Sequence, residues 1–63
     1  MTIKEMQKLL KPGDKVLEKM NGGFYVRYTF EGLEKIGGRW YVACQTGTGI
    51  KRYVRPDKVL AEA

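Results

Sequence analysis

Apolar and polar residues along this chain recur with two different periods, and the change between them falls near Pro12. In the segment TIKEMQKLL, the apolar residues Ile3, Met6, Leu9 and Leu10 recur at helical spacing. They form one stripe, with Lys4, Glu5, Gln7 and Lys8 on the remaining surface. Thr2 stands where an N-cap would, and Glu5 follows three residues later, so each side chain can satisfy the other's backbone donor. The pattern predicts a helix over residues 2–11 that plugs one end of a core. Lys11-Pro12-Gly13 stops it, because proline lacks a donor and disfavours helical dihedrals at the residue before it.

From Asp14 onward the period drops to two. Asn21-Gly22-Gly23, Gly37-Gly38 and Thr46-Gly47-Thr48-Gly49 are turn signals, and the runs between them are rich in β-branched and aromatic residues. Phe24 to Glu31 puts Phe24, Val26, Tyr28 and Phe30 on a core face and Tyr25, Arg27, Thr29 and Glu31 on the other. Arg39 to Gln45 repeats this, with Trp40, Val42 and Cys44 inward and Arg39, Tyr41, Ala43 and Gln45 outward. Gly37-Gly38 joins the two as a hairpin. Lys15 to Met20 and Ile50 to Arg55 are flanking strands. In the latter, Ile50 and Val54 point inward, while Lys51, Tyr53 and Arg55 point outward. Arg52 falls on the inward side and is expected at a barrel mouth or at a bulge that shifts the register.

Four to five short strands, glycine turns and one small core predict a mainly β fold. The expected architecture is a closed or nearly closed antiparallel barrel over residues 14–61 behind the short N-terminal α-helix, all one domain over 1–63. Two stretches carry a resemblance. Lys11-Pro12-Gly13-Asp14-Lys15-Val16 resembles the opening strand of SH3-like barrels, where a turn ending in Gly-Asp leads into an inward valine. Tyr53-Val54-Arg55-Pro56-Asp57-Lys58-Val59 resembles the end of SH3 domains, where an aromatic-aliphatic pair runs into a 3₁₀ turn and a last strand. The resemblance implies an SH3-like barrel in which Val54 and Val59 are core and Arg55 to Lys58 form the turn. The acidic loop and paired aromatics with which signalling SH3 domains hold proline-rich peptides have no counterpart here, so that recognition is not expected. Small plasmid-borne dihydrofolate reductases also use an SH3-like barrel. Their active strand reads Val-Gln-Ile-Tyr, of which Ile50-Lys51-Arg52-Tyr53 keeps only the tyrosine.

Composition removes several chemistries. With one cysteine and no histidine among 63 residues, there is no internal disulfide and no zinc ligand set, and neither a metal nor another cofactor is expected. The lone thiol and the polar-rich first ten residues predict a cytoplasmic protein, and no run is long enough to cross a bilayer. Catalysis needs a nucleophile with a base beside it, and the materials are thin. Cys44 reads as a small buried hydrophobe. Glu31 and Glu34 flank Gly32 at an expected bend and read as solubilising charge. Gly47-Thr48-Gly49 lacks the Lys-Ser/Thr and helix of a phosphate cradle. No catalytic residue is assigned.

Twelve Lys and Arg against seven Asp and Glu give a net charge of +5, and the surplus lies late: Arg39, Lys51, Arg52, Arg55 and Lys58 face only Asp57. Strand parity also sends Tyr25, Arg27, Arg39, Tyr41, Lys51, Tyr53 and Arg55 outward, alternating rings with cations. Such a face suits nucleic acid, single-stranded or duplex, because phosphates pair with the cations and rings offer stacking platforms to unpaired bases. It equally suits an acidic protein surface, since Tyr and Arg dominate interface hot spots. The chain would then be an adaptor or inhibitor of the kind that phages and other mobile elements encode. Both residue types also suit a bare strand surface. These readings stay open in the sequence, as does pairing of copies into a homo-oligomer through an exposed strand edge.

Overall fold

Thr2 and Glu5 start the helix reciprocally: Thr2 Oγ1 accepts from the Glu5 amide at 3.1 Å, and Glu5 Oε1 accepts from the Thr2 amide at 2.8 Å. In the computed structural model, which describes residues 1–62, this helix α1 spans Ile3–Leu9. Residue 63 of the expected 1–63 domain lies outside the described residues. Only part of the apolar stripe is core: Met6 is fully buried and Leu10 packs against the core, whereas Leu9 is exposed. The segment ahead of α1 is tied to the far end of the chain, with the Met1 nitrogen donating to Val59 O at 3.0 Å.

Strands β1 (Lys15–Lys19), β2 (Tyr25–Ile36), β3 (Arg39–Gln45), β4 (Lys51–Val54) and β5 (Val59–Ala61) form one antiparallel sheet in the order β4-β3-β2-β1-β5. A 3₁₀ turn, Pro56–Lys58, joins the last two. The sheet must roll. β4 and β5 are its opposite edges, and four strand spacings of about 4.8 Å would hold them about 19 Å apart if it were flat. Yet Val54 and Val59 are only five residues apart in sequence, a span of at most about 18 Å when fully extended and clearly less with a 3₁₀ turn inside it. Rolling brings Val16, Tyr28, Phe30, Val42, Cys44, Val54 and Val59, from all five strands, into one buried cluster that Met6 of α1 covers. No ladder joins β4 to β5 among the described residues, so the roll is not sealed by hydrogen bonds.

β2 makes the roll possible by serving two partners. Its residues 25–29 pair with β1 and residues 29–36 with β3. The bend expected at Gly32 is a β-bulge, and the strand expected to end at Glu31 continues to Ile36. Phe30 opposes Cys44 while Gly32 opposes Ala43, which leaves Glu31 as the extra residue. The bulge inverts the phase, so Phe30 and Leu33, three apart, both turn toward the core.

Three residues assigned inward by alternation are exposed instead. Phe24 and Ile50 are 56% and 61% exposed, and Trp40 is 41% exposed. Phe24 and Ile50 precede their strands, each following a glycine-containing turn whose backbone closes on it: the Met20 amide bonds Phe24 O and the Thr46 amide bonds Ile50 O. Trp40 is the second residue of β3, opposite Lys35 near the hairpin tip. Parity persists to a strand end, but nothing stacks over the side chain there. Arg52 opposes Cys44 without any register shift in the β3–β4 ladder, and it is exposed, which puts it at the mouth of the roll.

Below that mouth lie two buried titratable groups. The Tyr28 hydroxyl donates to Glu18 Oε1 at 2.9 Å, and the Cys44 thiol contacts Arg52 O at 3.7 Å. Burial above all, with Glu18 adding to it, pushes the Cys44 thiol from 9.0 up to about 11, and burial followed by the Glu18 hydrogen bond raises Tyr28. The folded state thus holds protons that the unfolded chain releases sooner. The stabilisation is complete below the thiol's ordinary value and is lost as the pH climbs through about 11. Urea midpoints measured across alkaline pH should fall steadily from about pH 9 upward, while iodoacetamide should label Cys44 only when urea unfolds the chain. Met6→Ala should remove about 2–5 kcal/mol of unfolding free energy, because it empties a fully buried site. Lys4→Ala, on the exposed side of α1, should leave the midpoint nearly unchanged.

Candidate nucleic-acid interface

The outward faces of β3 and β4 hold most of the residues singled out by the sequence. Register places Gln45 opposite Lys51 and Ala43 opposite Tyr53. The ladder ends with Val42 opposite Val54, and Tyr41 and Arg55 are the residues next to that last pair. Lys51 and Tyr53 on β4, and Arg55 in the extended residue just after it, therefore follow one another at every second residue, about 6.8 Å apart. Where that edge runs into the 3₁₀ turn, a cleft of about 420 Å³ opens, lined by Arg39, Trp40, Tyr41, Arg55 and Pro56. Arg39 and Tyr41 of the outward phase, Trp40 of the opposite phase and Arg55 thus all border one concavity. Lys58 lies in the 3₁₀ turn that follows it.

Not every expected residue joins this group. Tyr25 and Arg27 do point outward, but they sit on the half of β2 that pairs with β1, opposite Lys19 and Leu17. The roll turns that half away from β3 and β4. Arg27 is also engaged, with its Nε 2.7 Å from Glu62 Oε2. Arg52 belongs to the core-side phase of β4 and faces the mouth rather than the cleft. The seven residues that the sequence gathers on one face are thus divided over two surfaces, with Arg39, Tyr41, Lys51, Tyr53 and Arg55 remaining together.

Trp40 and Pro56 line the cleft and were not among the expected site residues. Trp40 is inward by alternation, and only its position two residues after the Gly37-Gly38 turn signals that it escapes the core. Pro56 carries no chemical signal of its own; it shapes the wall by fixing the 3₁₀ turn.

The charge on this face is graded. At its β4 side, Lys51 Nζ lies 5.3 Å from the centre of the Tyr53 ring and 3.6 Å from Glu34 Oε2. Tyr53 first, and Glu34 second, raise the Lys51 pKa, so the ammonium stays charged throughout the neutral range. Arg55 Nε is 3.5 Å from Asp57 Oδ1 across a solvent-exposed gap, a contact of little stabilising value. On the β2 side the sign reverses. Glu31, the bulged residue, accepts from Gln45 Nε2 at 2.7 Å through one oxygen while its other oxygen is enclosed without a hydrogen-bond partner. Glu31, Gly32, Leu33, Glu34, Ala43 and Lys51 surround a second hollow of about 280 Å³ there. Gly32 gives it a bare floor, since a side chain at that position would meet nothing.

No family model matches this chain, and no curated protein and no solved structure is significantly similar to it. The chemistry of the site must therefore be read from its own groups. Among the described residues, no group of three or more His, Cys, Asp or Glu side chains is placed to hold a metal ion, and no helix is long and apolar enough to cross a membrane.

The cleft makes a spectroscopic prediction. Trp40 is the sole tryptophan and is flanked by Arg39 and Arg55. Its emission should be red-shifted, and iodide should quench it more efficiently than caesium at equal ionic strength, with the difference shrinking as salt screens the guanidinium groups.

Proposed function

We propose that this chain is a small non-catalytic module that binds nucleic acid through the outer face of β3 and β4 and the cleft at its end. The observation that carries the reading is the convergence of Arg39 and Arg55 with Trp40 and Tyr41 in one concavity. Guanidinium groups pair with phosphates, and exposed rings accept bases. Lys51 and Tyr53 extend the same alternation along the edge strand. The non-catalytic part rests on the materials present: there is no histidine, and the one thiol is buried and protonated at neutral pH.

A second reading, an adaptor or inhibitor that docks on an acidic protein surface, is favoured by one feature. Trp40 is 41% exposed beside two arginines, the composition of an interface hot spot. Salt-titrated binding distinguishes the two. Labelled oligonucleotides should bind at low salt and weaken steeply as salt rises. Arg39→Ala and Arg55→Ala should each reduce the magnitude of the logarithmic salt slope by about one, and Trp40→Ala should cost about 1–3 kcal/mol of binding free energy. Absence of oligonucleotide binding at low salt would sink the nucleic-acid reading and leave the protein surface as the alternative.

A further inference from the structure

We infer that the ligand is single-stranded nucleic acid laid along β4, and that the carboxylates of β2 reject the duplex; this rests on the nucleic-acid reading above. The first argument is the width of the cationic strip. Lys51 and Tyr53 occupy the edge strand β4 and Arg55 follows it directly, Arg39 and Tyr41 lie on the strand beside it, and Glu31 and Glu34 on the strand beyond that. β2 lies two strand spacings, about 9.5 Å, from β4. A duplex carries two rows of phosphates across grooves about 6 and 12 Å wide. With one row on Lys51 and Arg55, the other falls either over Glu31 and Glu34 or beyond the sheet edge, where β4 has no partner strand among the described residues. A single strand has one row, and the strip is wide enough for it.

The second argument is the rings. Tyr53 is 44% exposed and Trp40 is similarly open. Their faces can bind only bases that are not already stacked and paired, so a duplex leaves this apolar surface unused while a single strand covers it. Phosphate pairing and base stacking thus favour the same ligand. Glu34, 3.6 Å from Lys51, sets the inner border of the strip, so that the acidic side begins directly beside the one row of cations.

Fluorescence anisotropy with the intact protein tests this, using an oligothymidylate about 12 nucleotides long and a duplex hairpin of about the same length carrying the same dye. The single strand should bind about tenfold more tightly or better at low salt, from one or two stacked bases. The paired substitution Glu31→Gln with Glu34→Gln should narrow that ratio by strengthening the hairpin complex, with circular dichroism confirming the fold. Equal or tighter binding of the hairpin by the wild-type chain would overturn the inference while leaving nucleic-acid binding standing. Binding of neither probe at low salt would overturn both. A ratio unmoved in the folded double variant would remove the carboxylates from the explanation of selectivity.

Discussion

Everything in this fold follows from a short tether. A five-stranded sheet with its first and last neighbours in space joined by Arg55 and a single 3₁₀ turn cannot lie flat, so it wraps round its own apolar side chains. That constraint explains how 63 residues with a single cysteine can bury one fully enclosed cluster without an internal disulfide. Wrapping lets each strand supply one or two buried side chains to a shared centre, and α1 contributes Met6. It also fixes where function can reside. Rolling turns the outer surfaces of β1 and β3 in different directions, so residues on different halves of the sheet cannot act together.

The architecture was largely legible in the alternation of apolar residues. Thr2 with Glu5, the paired glycines at 37 and 38, and the Val54–Val59 frame around Pro56 each specify their local geometry through short-range chemistry. The site was legible only in part, for a physical reason. Alternation states on which side of a strand a residue lies, but not which other strands share that side after the sheet has rolled. Arg27 and Arg39 are both outward, and they look onto different surroundings. Strand ends are the other blind spot, because burial depends on what lies above a residue as well as on its phase. Trp40, Phe24 and Ile50 keep the phase and lack the cover.

The net charge of +5 already counts every carboxylate, and it is spread unevenly over the surface. Arg27, Lys51 and Arg55 each stand within ion-pair distance of a carboxylate. Most of these contacts are exposed and weak, and they act less as braces than as modulators of local potential. The face of β3 and β4 is accordingly polarised rather than uniformly basic, with acids on its β2 border.

The single extra residue at Glu31 governs how this surface can change. All side chains from Leu33 to Ile36 owe their sidedness to it, and so does the placement of Glu34 against Lys51. Drift in such a chain is free to swap one outward residue for another between Gly32 and Ile36, altering what the surface prefers without touching the interior. Loss or gain of one residue in the same stretch would exchange inside for outside along the whole hairpin. Related chains should therefore diversify here by substitution at constant length, and length variation should be confined to the turns.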